Sequence, residues 1–599
     1  MHILYDSKSE LHKKPFGCLK KNEECTISIH IPESCKTKRA YLLIESDEGM
    51  KLTLPLSCIK KENSYEYYSE TFSLYKTGLY FYHFLIETEC STFHLYKCGD
   101  SDTNMEEGAS WQLSCIPSDF TVPSCFKGRV YYQIFPDRFY KERILSAEDK
   151  KTPYHLHDDE GDIPVFLPDE KGIIQNNDFF GGNIEGIIKK LPYLKDLGVG
   201  VIYLNPIFSA YSNHRYDTSD YKKTDPLLGT EDDFKSLCEK AHELGIKILL
   251  DGVFSHTGCD SVYFDKYNRY GMGAYHNPDS PYKDWYQFNN YPDSYTSWWG
   301  IDTLPCVNEL SESFLNYIIE DSDSVVAHWL TLGADGFRLD VADELPDEFI
   351  IKLRKRVKEI NPDALVLGEV WEDASNKVSY SVRRRYFTAP ELDSVMNYPF
   401  RDAILSFVKG NMCAKDFAAS VMTICENYPR DVLDALMNSL STHDTPRILT
   451  LLSDAPYMEK REERAFFRLS GEMKEKAIKR LKTAAFLQFC LPGCPCIYYG
   501  DEAGMEGFED PFNRAFYPWG KENSEILDFF KVLAEIKNSH IALRLGDTRF
   551  IPIDDKSLLM ERRTDSEKLY AYAGNDVRDM TDGKEVIISG DNFALYKEK

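Results

Sequence analysis

Apolar positions in the first 125 or so residues come in short alternating runs separated by turns. Cys25-Thr26-Ile27-Ser28-Ile29-His30-Ile31 and Ala40-Tyr41-Leu42-Leu43-Ile44 are two, and Leu79-Tyr80-Phe81-Tyr82-His83-Phe84 is a third. A period of two puts every second side chain on one face of a strand. Many such short strands predict an N-terminal β-sandwich over residues 1–125. Polar stretches at 99–108 and 117–123 mark its end.

From about 126 the pattern changes. Short apolar runs alternate with longer stretches whose apolar residues recur at helical spacing, the pattern of a parallel α/β fold. The candidate strands are 130–135, 199–204, 246–250, 336–340, 364–367, 394–396, 435–440 and 496–499. Eight such strands suffice to close a (β/α)8 barrel. Helices are predicted at 232–244 and 349–359, among others. An aromatic-rich insertion, 255–311, interrupts the sequence after the third strand, and long insertions of this kind are commonly lids or binding loops. Beyond about 540 short alternating runs return, including Lys568-Leu569-Tyr570-Ala571-Tyr572. The predicted organisation is a sandwich (1–125), a TIM barrel with its insertion (126–540) and a C-terminal all-β domain (541–599).

Composition narrows the partners. The 599 residues carry 97 Asp and Glu against 71 Lys and Arg, a formal net charge of -26. A chain so acidic is repelled by phosphate backbones, which excludes nucleic acid. No stretch is long and apolar enough to span a bilayer, and the N-terminus lacks the apolar core of a signal peptide. The 16 Cys are scattered, which fits reduced thiols in a cytoplasm. Cys490 and Cys494 sit in an apolar stretch and read as core thiols. Aromatics reach 13%, and their flat, polar-edged rings suit contact with sugars.

In a barrel, chemistry sits where strands end. The third strand leads to Asp251 and His256. The fourth ends in Gly336-Phe337-Arg338-Leu339-Asp340, where Arg338 and Asp340, two apart, face the same way. Taken alone, that run also fits a buried strand capped by an ion pair. The fifth leads to Gly368-Glu369-Val370-Trp371, and the seventh to His443-Asp444-Thr445-Pro446-Arg447. Three carboxylates, Asp340, Glu369 and Asp444, therefore converge on one rim. Glycosidic cleavage needs such a set: an acid for the leaving oxygen and a nucleophilic carboxylate on the opposite face of the sugar. Arg338 favours the ionised form of Asp340 and so suits it to be the nucleophile. Glu369, crowded by two other carboxylates, suits the acid, then the base. Asp444 would hold sugar hydroxyls, with His256 and His443 as neutral-to-cationic donors.

Asp251-Gly252-Val253-Phe254-Ser255-His256, the fourth- and fifth-strand runs and His443-Asp444 resemble, in order, the characteristic regions of the α-amylase family (glycoside hydrolase family 13). Tyr132-Gln133-Ile134-Phe135-Pro136-Asp137-Arg138-Phe139 is similar to the first strand of its cyclomaltodextrinase, neopullulanase and maltogenic amylase group. Similar too are Asn213-His214-Arg215-Tyr216-Asp217-Thr218, Trp298-Trp299-Gly300 with Leu304-Pro305 and Asn308, Met396-Asn397-Tyr398-Pro399-Phe400, and Asp510-Pro511 with Arg514.

The resemblance implies that Tyr216 stacks on the sugar at the cleavage point with His214 nearby, and that Trp371 lines the acceptor side. Asp510 and Arg514 would hold sugars towards the non-reducing end. It further implies α-glucan oligosaccharides as substrates and a homodimer whose N-terminal domain narrows the partner's cleft. Some positions depart from the group. Ser255 stands where Asn commonly serves a structural calcium, Asn183 where an Asp is common, and Glu372 where His is frequent. Ser is a poorer calcium ligand, so no metal ligand is assigned and a structural calcium is left open. Three readings follow: an α-glucan hydrolase, a transglycosylase or isomerase of the same family, and a non-catalytic sugar-binding homologue. Retention of all three carboxylates argues against the last.

Overall fold

A computed structural model describes residues 2–99, 102–105, 107–145 and 147–598; residues 100, 101 and 106 of the polar 99–108 stretch lie outside them. The chain forms two compact units. One comprises Met1–Thr121 together with Glu372–Glu391 and Cys413–Leu433; the other comprises Val122–Trp371, Leu392–Met412 and Asp434–Lys599.

In the N-terminal unit the alternation seen in the sequence is realised. Strand Glu24–Pro32 buries Cys25, Ile27, Ile29 and Ile31 on one face. Strands Thr37–Ser46 and Gly78–Thr88 bury Ala40, Leu42, Ile44, Tyr82, Phe84 and Ile86 against the same core. The long strand Lys51–Glu62 pairs with Thr37–Ser46 at one end and Tyr65–Ser73 at the other, with a register shift between Cys58 and Lys60. It thereby passes from one layer of the sandwich to the other. Helix Ala414–Asn427, though far along the chain, belongs here. Its buried Glu426 takes an ion pair from Lys13 at 2.7 Å and a hydrogen bond from the Ser7 hydroxyl.

The second unit holds the barrel. Its strands are β1 (Tyr131–Ile134), β2 (Val201–Leu204), β3 (Lys247–Gly252), β4 (Gly336–Leu339), β5 (Leu365–Gly368), β6 (Ser394–Val395), β7 (Met437–Ser439) and β8 (Cys494–Tyr498). All pair in parallel in the order β6-β5-β4-β3-β2-β1-β8-β7, and a parallel bridge from Met396 to Met437 closes the ring. The strands are buried along nearly their whole length, which is why they read as largely apolar runs. Helix Glu231–Glu243 begins at a Thr230 capping box and buries Phe234, Leu237, Cys238 and Ala241, while Asp347–Ile360 buries Phe349, Ile350, Leu353 and Val357. The insertion after β3 has its own aromatic core: Phe264 packs on Tyr275, Tyr286, Phe288 and Tyr295. The chain ends in an antiparallel five-stranded sheet spanning Asp547–Asp554 to Phe593–Lys597. No helix among the described residues is long and apolar enough to cross a membrane.

Candidate active site

The register of three neighbouring strands builds the rim. Asp251 of β3 lies opposite Arg338 of β4, and Leu339 lies opposite Gly368 of β5. The next residues, Asp340 and Glu369, therefore leave the barrel side by side. Gly336 is required for this approach: at φ +143° a Cβ would stand 2.0 Å from the Leu365 carbonyl oxygen.

Arg338 is fully buried and serves three carboxylates. Its Nη1 lies 2.7 Å from Asp251 Oδ1 and 2.8 Å from Asp340 Oδ1. Its Nη2 is 2.7 Å from Glu369 Oε2, a charge contact not aligned as a hydrogen bond. Glu369 also accepts the Val341 backbone N–H at 2.8 Å and the Trp371 indole N–H at 3.0 Å. Val341 adopts φ +38°, a left-handed conformation that costs a β-branched residue strain. Trp371 stacks on Tyr398, ring centroids 3.9 Å apart, with 43% of its surface open.

From Asp251 the contacts run on towards β7. Asp251 Oδ2 accepts the hydroxyls of Tyr203 (2.6 Å) and Tyr216 (2.8 Å). Tyr216 stacks on His443, with its oxygen 2.5 Å from Nε2. The Gln133 amide donates to His443 Nδ1 at 2.9 Å, so the proton of the neutral ring sits on Nε2, facing Tyr216 and, at 3.1 Å, Asp444. Asp444 Oδ1 stands 3.5 Å from Arg514 Nη2, and Arg514 pairs with Asp510 at 3.0 Å and with the His443 carbonyl. His214 accepts the Tyr216 backbone N–H on Nδ1. Ten of the eleven candidate residues thus form one connected chain. The eleventh, His256, adjoins it at the Tyr216 backbone and lies against Ser255 and the Trp298 ring. Trp298 and its neighbour Trp299 both donate their indole N–H to Glu344.

Charge states follow from crowding. Burial pushes the Asp340 carboxyl well up from its ordinary range; Arg338 pulls it back, and Glu369, Asp251 and Asp444 add to the rise. Arg338 thus favours the ionised form of Asp340, as its spacing suggests, but burial and the neighbouring carboxylates act against it. Asp251 is raised by burial as well, and Asp444, a third of whose side chain is open, is pushed up to about 7 by burial and Glu369. Two guanidinium groups face more carboxylates than they can neutralise, which disfavours ionising all of them at once. Burial pulls His256 down to about 4 and His443 well below its usual value, so both rings are neutral hydrogen-bonding groups rather than cations.

The two positions associated with calcium do not fit the ion. Asn183 Oδ1 accepts the Gly186 N–H as the cap of helix Ile184–Asp196, and its Nδ2 donates to the Arg143 carbonyl. The Ser255 hydroxyl is engaged with His256 Nδ1. Among the described residues no group of three or more His, Cys, Asp or Glu is placed to hold a metal.

Sequence reasoning left out Asp251 as a site residue, together with Tyr203, Gln133, Tyr398 and Glu344. Gln133 carried a usable signal: a polar side chain inside a wholly buried strand must have a partner there. Glu344 carried none, because its two tryptophans lie 45 and 46 residues away.

The family model described as "Alpha amylase, catalytic domain" matches residues 133–543. An amylopullulanase of Thermoanaerobacter thermohydrosulfuricus is 36% identical over 600 aligned residues, covering 91% of this chain and 39% of that protein. A cyclomaltodextrinase of Geobacillus thermopakistaniensis is 34% identical over 460 residues, 75% of this chain and 69% of its own. A solved cyclomaltodextrinase superposes with a TM-score of 0.65 at 26% identity, covering 94% of this chain and 90% of that one. The chain spans less than half the length of the amylopullulanases it matches. The family match begins within β1 and ends well past β8, taking in every strand end that carries the connected carboxylates, so the chain belongs to the α-amylase family.

Proposed function

We propose that the protein is a retaining α-glucan hydrolase that cleaves α-1,4-glucosidic bonds of cyclomaltodextrins, maltooligosaccharides, pullulan or starch. Asp340 attacks the anomeric carbon while Glu369 gives its proton to the leaving oxygen. Water, deprotonated by Glu369, then releases the sugar from Asp340. Asp444 holds ring hydroxyls, with His214, His256 and His443 as neutral hydrogen-bonding groups. Tyr216 stacks on the reacting sugar, and Asp510 and Arg514 bind towards the non-reducing end. The observation that supports this best is the sharing of Arg338 by Asp340 and Glu369, since double displacement wants the two carboxyls only about 5–5.5 Å apart.

Incubation with β-cyclodextrin, pullulan and starch separately, with the anomer followed by NMR from the first turnover, tests it. Initial release of α-anomers is expected; β-anomers, or no sugar from any of the three, would overturn the reading. The braced, half-open face of Trp371 also favours a second outcome, transfer to an acceptor sugar, which high maltose concentrations would expose as longer products. The cytoplasmic location, supported by the scattered spacing of the 16 Cys, and the homodimer belong to the same proposal; sedimentation tests the latter.

A further inference from the structure

The loop after β1 carries a histidine that this chemistry does not use. His157 follows the short parallel pairing of His155–Leu156 with Asp178–Phe179, and its backbone N–H donates to the Phe179 carbonyl. Its side chain is 8% exposed. Nδ1 lies 3.1 Å from Asp162 Oδ2, and Nε2 lies 3.1 Å from Asp178 Oδ2. A neutral imidazole has one N–H and one lone pair. At that distance a lone pair would face a carboxylate oxygen and repel it. Both contacts are attractive only when both nitrogens carry protons, so the geometry is that of an imidazolium between two carboxylates. Burial opposes the charge, but the bonds to Asp178 and Asp162 outweigh it, and the ring titrates above its usual value.

The two carboxylates differ in what they are tied to. Asp178 is a fixed point: it is buried, accepts the Val165 backbone N–H and the Asn213 amide, both at 3.0 Å, and has Arg138 at 3.7 Å. Asp162 lies on the loop itself, with 44% of its side chain exposed. Beyond it Phe166 packs on Phe512 at 5.6 Å and Phe466 at 6.4 Å. Phe512 stands between Asp510 and Arg514, the residues assigned to sugars towards the non-reducing end. The other charged or titratable groups around His157 are Arg138, which lies over the Phe180 ring on which His157 stacks, His155, whose ring meets it edge-on at 5.4 Å, and Lys141, which shares a small pocket with His157 and is 4.0 Å from Glu160.

We propose that His157, as the imidazolium between Asp162 and Asp178, is a positioning residue that holds residues 158–166 as a wall of the cleft for long α-glucan chains. This rests on the proposed function. When the ring loses a proton, the remaining N–H stays with the fixed Asp178, and the lone pair left facing Asp162 releases the loop. The group's value is raised in the fold, so the bridge is complete below the ring's ordinary value and is lost as pH rises through the raised one.

The test compares kcat/KM for maltoheptaose and maltotriose across the neutral range, in the natural protein and in Asp162→Ala, beside amide hydrogen exchange of residues 158–166. Taking the ratio of the two substrates cancels the titration of the catalytic carboxylates. The ratio should fall by about two- to fivefold with rising pH in the natural protein, through KM rather than kcat, as expected for one partly exposed ion pair. In Asp162→Ala, which can neither accept from nor donate to the ring, it should be low and flat, with faster exchange in 158–166 at every pH. A variant that keeps the natural ratio and its pH dependence, or exchange that is unaffected by pH and by the substitution, would overturn the proposal. Failure to cleave either sugar would count against the proposed function, and hydrogen exchange would still decide the bridge.

Discussion

Replacing Arg338 by Gln removes the one cation shared by Asp251, Asp340 and Glu369. All three contacts are 2.7–2.8 Å long and the guanidinium has no exposed surface, so water cannot take its place. Breaking a buried ion pair by deleting one partner costs about 3–5 kcal/mol. By extension from smaller domains, that is a loss of roughly 5 °C in the melting temperature of a barrel this large. The sign of the pH effect discriminates. With the cation gone the folded variant binds protons on these carboxyls more readily than the unfolded chain does. Its stability then rises as pH falls, by about 1.4 kcal/mol per pH unit for each extra proton held. Lowering the pH by two units should therefore return about 2.7 kcal/mol of the deficit for one proton. Calorimetry of variant and natural protein side by side, at neutral pH and two units lower, reads the difference directly. A deficit that is equal or larger at the lower pH would refute the reasoning, because it would mean that the destabilisation came from lost packing and not from uncompensated charge.

Further outcomes follow from the same geometry. Asp340→Asn should lower kcat by at least about 10³-fold while leaving the melting temperature unchanged or slightly higher, since it removes an anion from a crowded set; an active variant would end the assignment of the nucleophile. Glu369→Gln should cost about 10²–10⁴-fold on natural glucans and less on an aryl glucoside whose leaving group needs no proton; equal losses on both substrates would contradict its role as acid. The upward shifts of Asp340 and Asp251 place the acid limb of kcat/KM above the ordinary aspartate value of about 3.9, and full activity down to that pH would show that burial had no net effect. EDTA should leave activity and melting temperature unchanged, because Asn183 and Ser255 spend their oxygens inside the protein; a drop reversed by calcium would show otherwise.

Much of this was legible before folding was considered. All eight barrel strands announced themselves because burial on both faces keeps the runs largely apolar, with only a few buried polar residues such as Gln133, Arg338 and Asn438 inside them, and the carboxylates announced themselves by ending those runs. What was not legible depends on distance along the chain. Helix Ala414–Asn427 has the amphipathic pattern of any barrel helix; nothing in it says that Glu426 will take its ion pair from Lys13. The bridge at His157 needs Asp178 brought back beside it by a two-residue strand pairing, too short to leave a pattern.

The charge balance of the site was legible only in part, for a related reason. Sequence spacing pairs Arg338 with Asp340 alone, and one cation beside one anion favours the bare carboxylate. Folding brings Asp251 and Glu369 to the same guanidinium, so one positive charge is divided among three acids in a place water barely reaches. Such a group relieves its repulsion by keeping a proton. The proposed reaction starts from one bare carboxylate and one protonated one, and a crowded set with a single shared guanidinium favours such a mixed state over full ionisation.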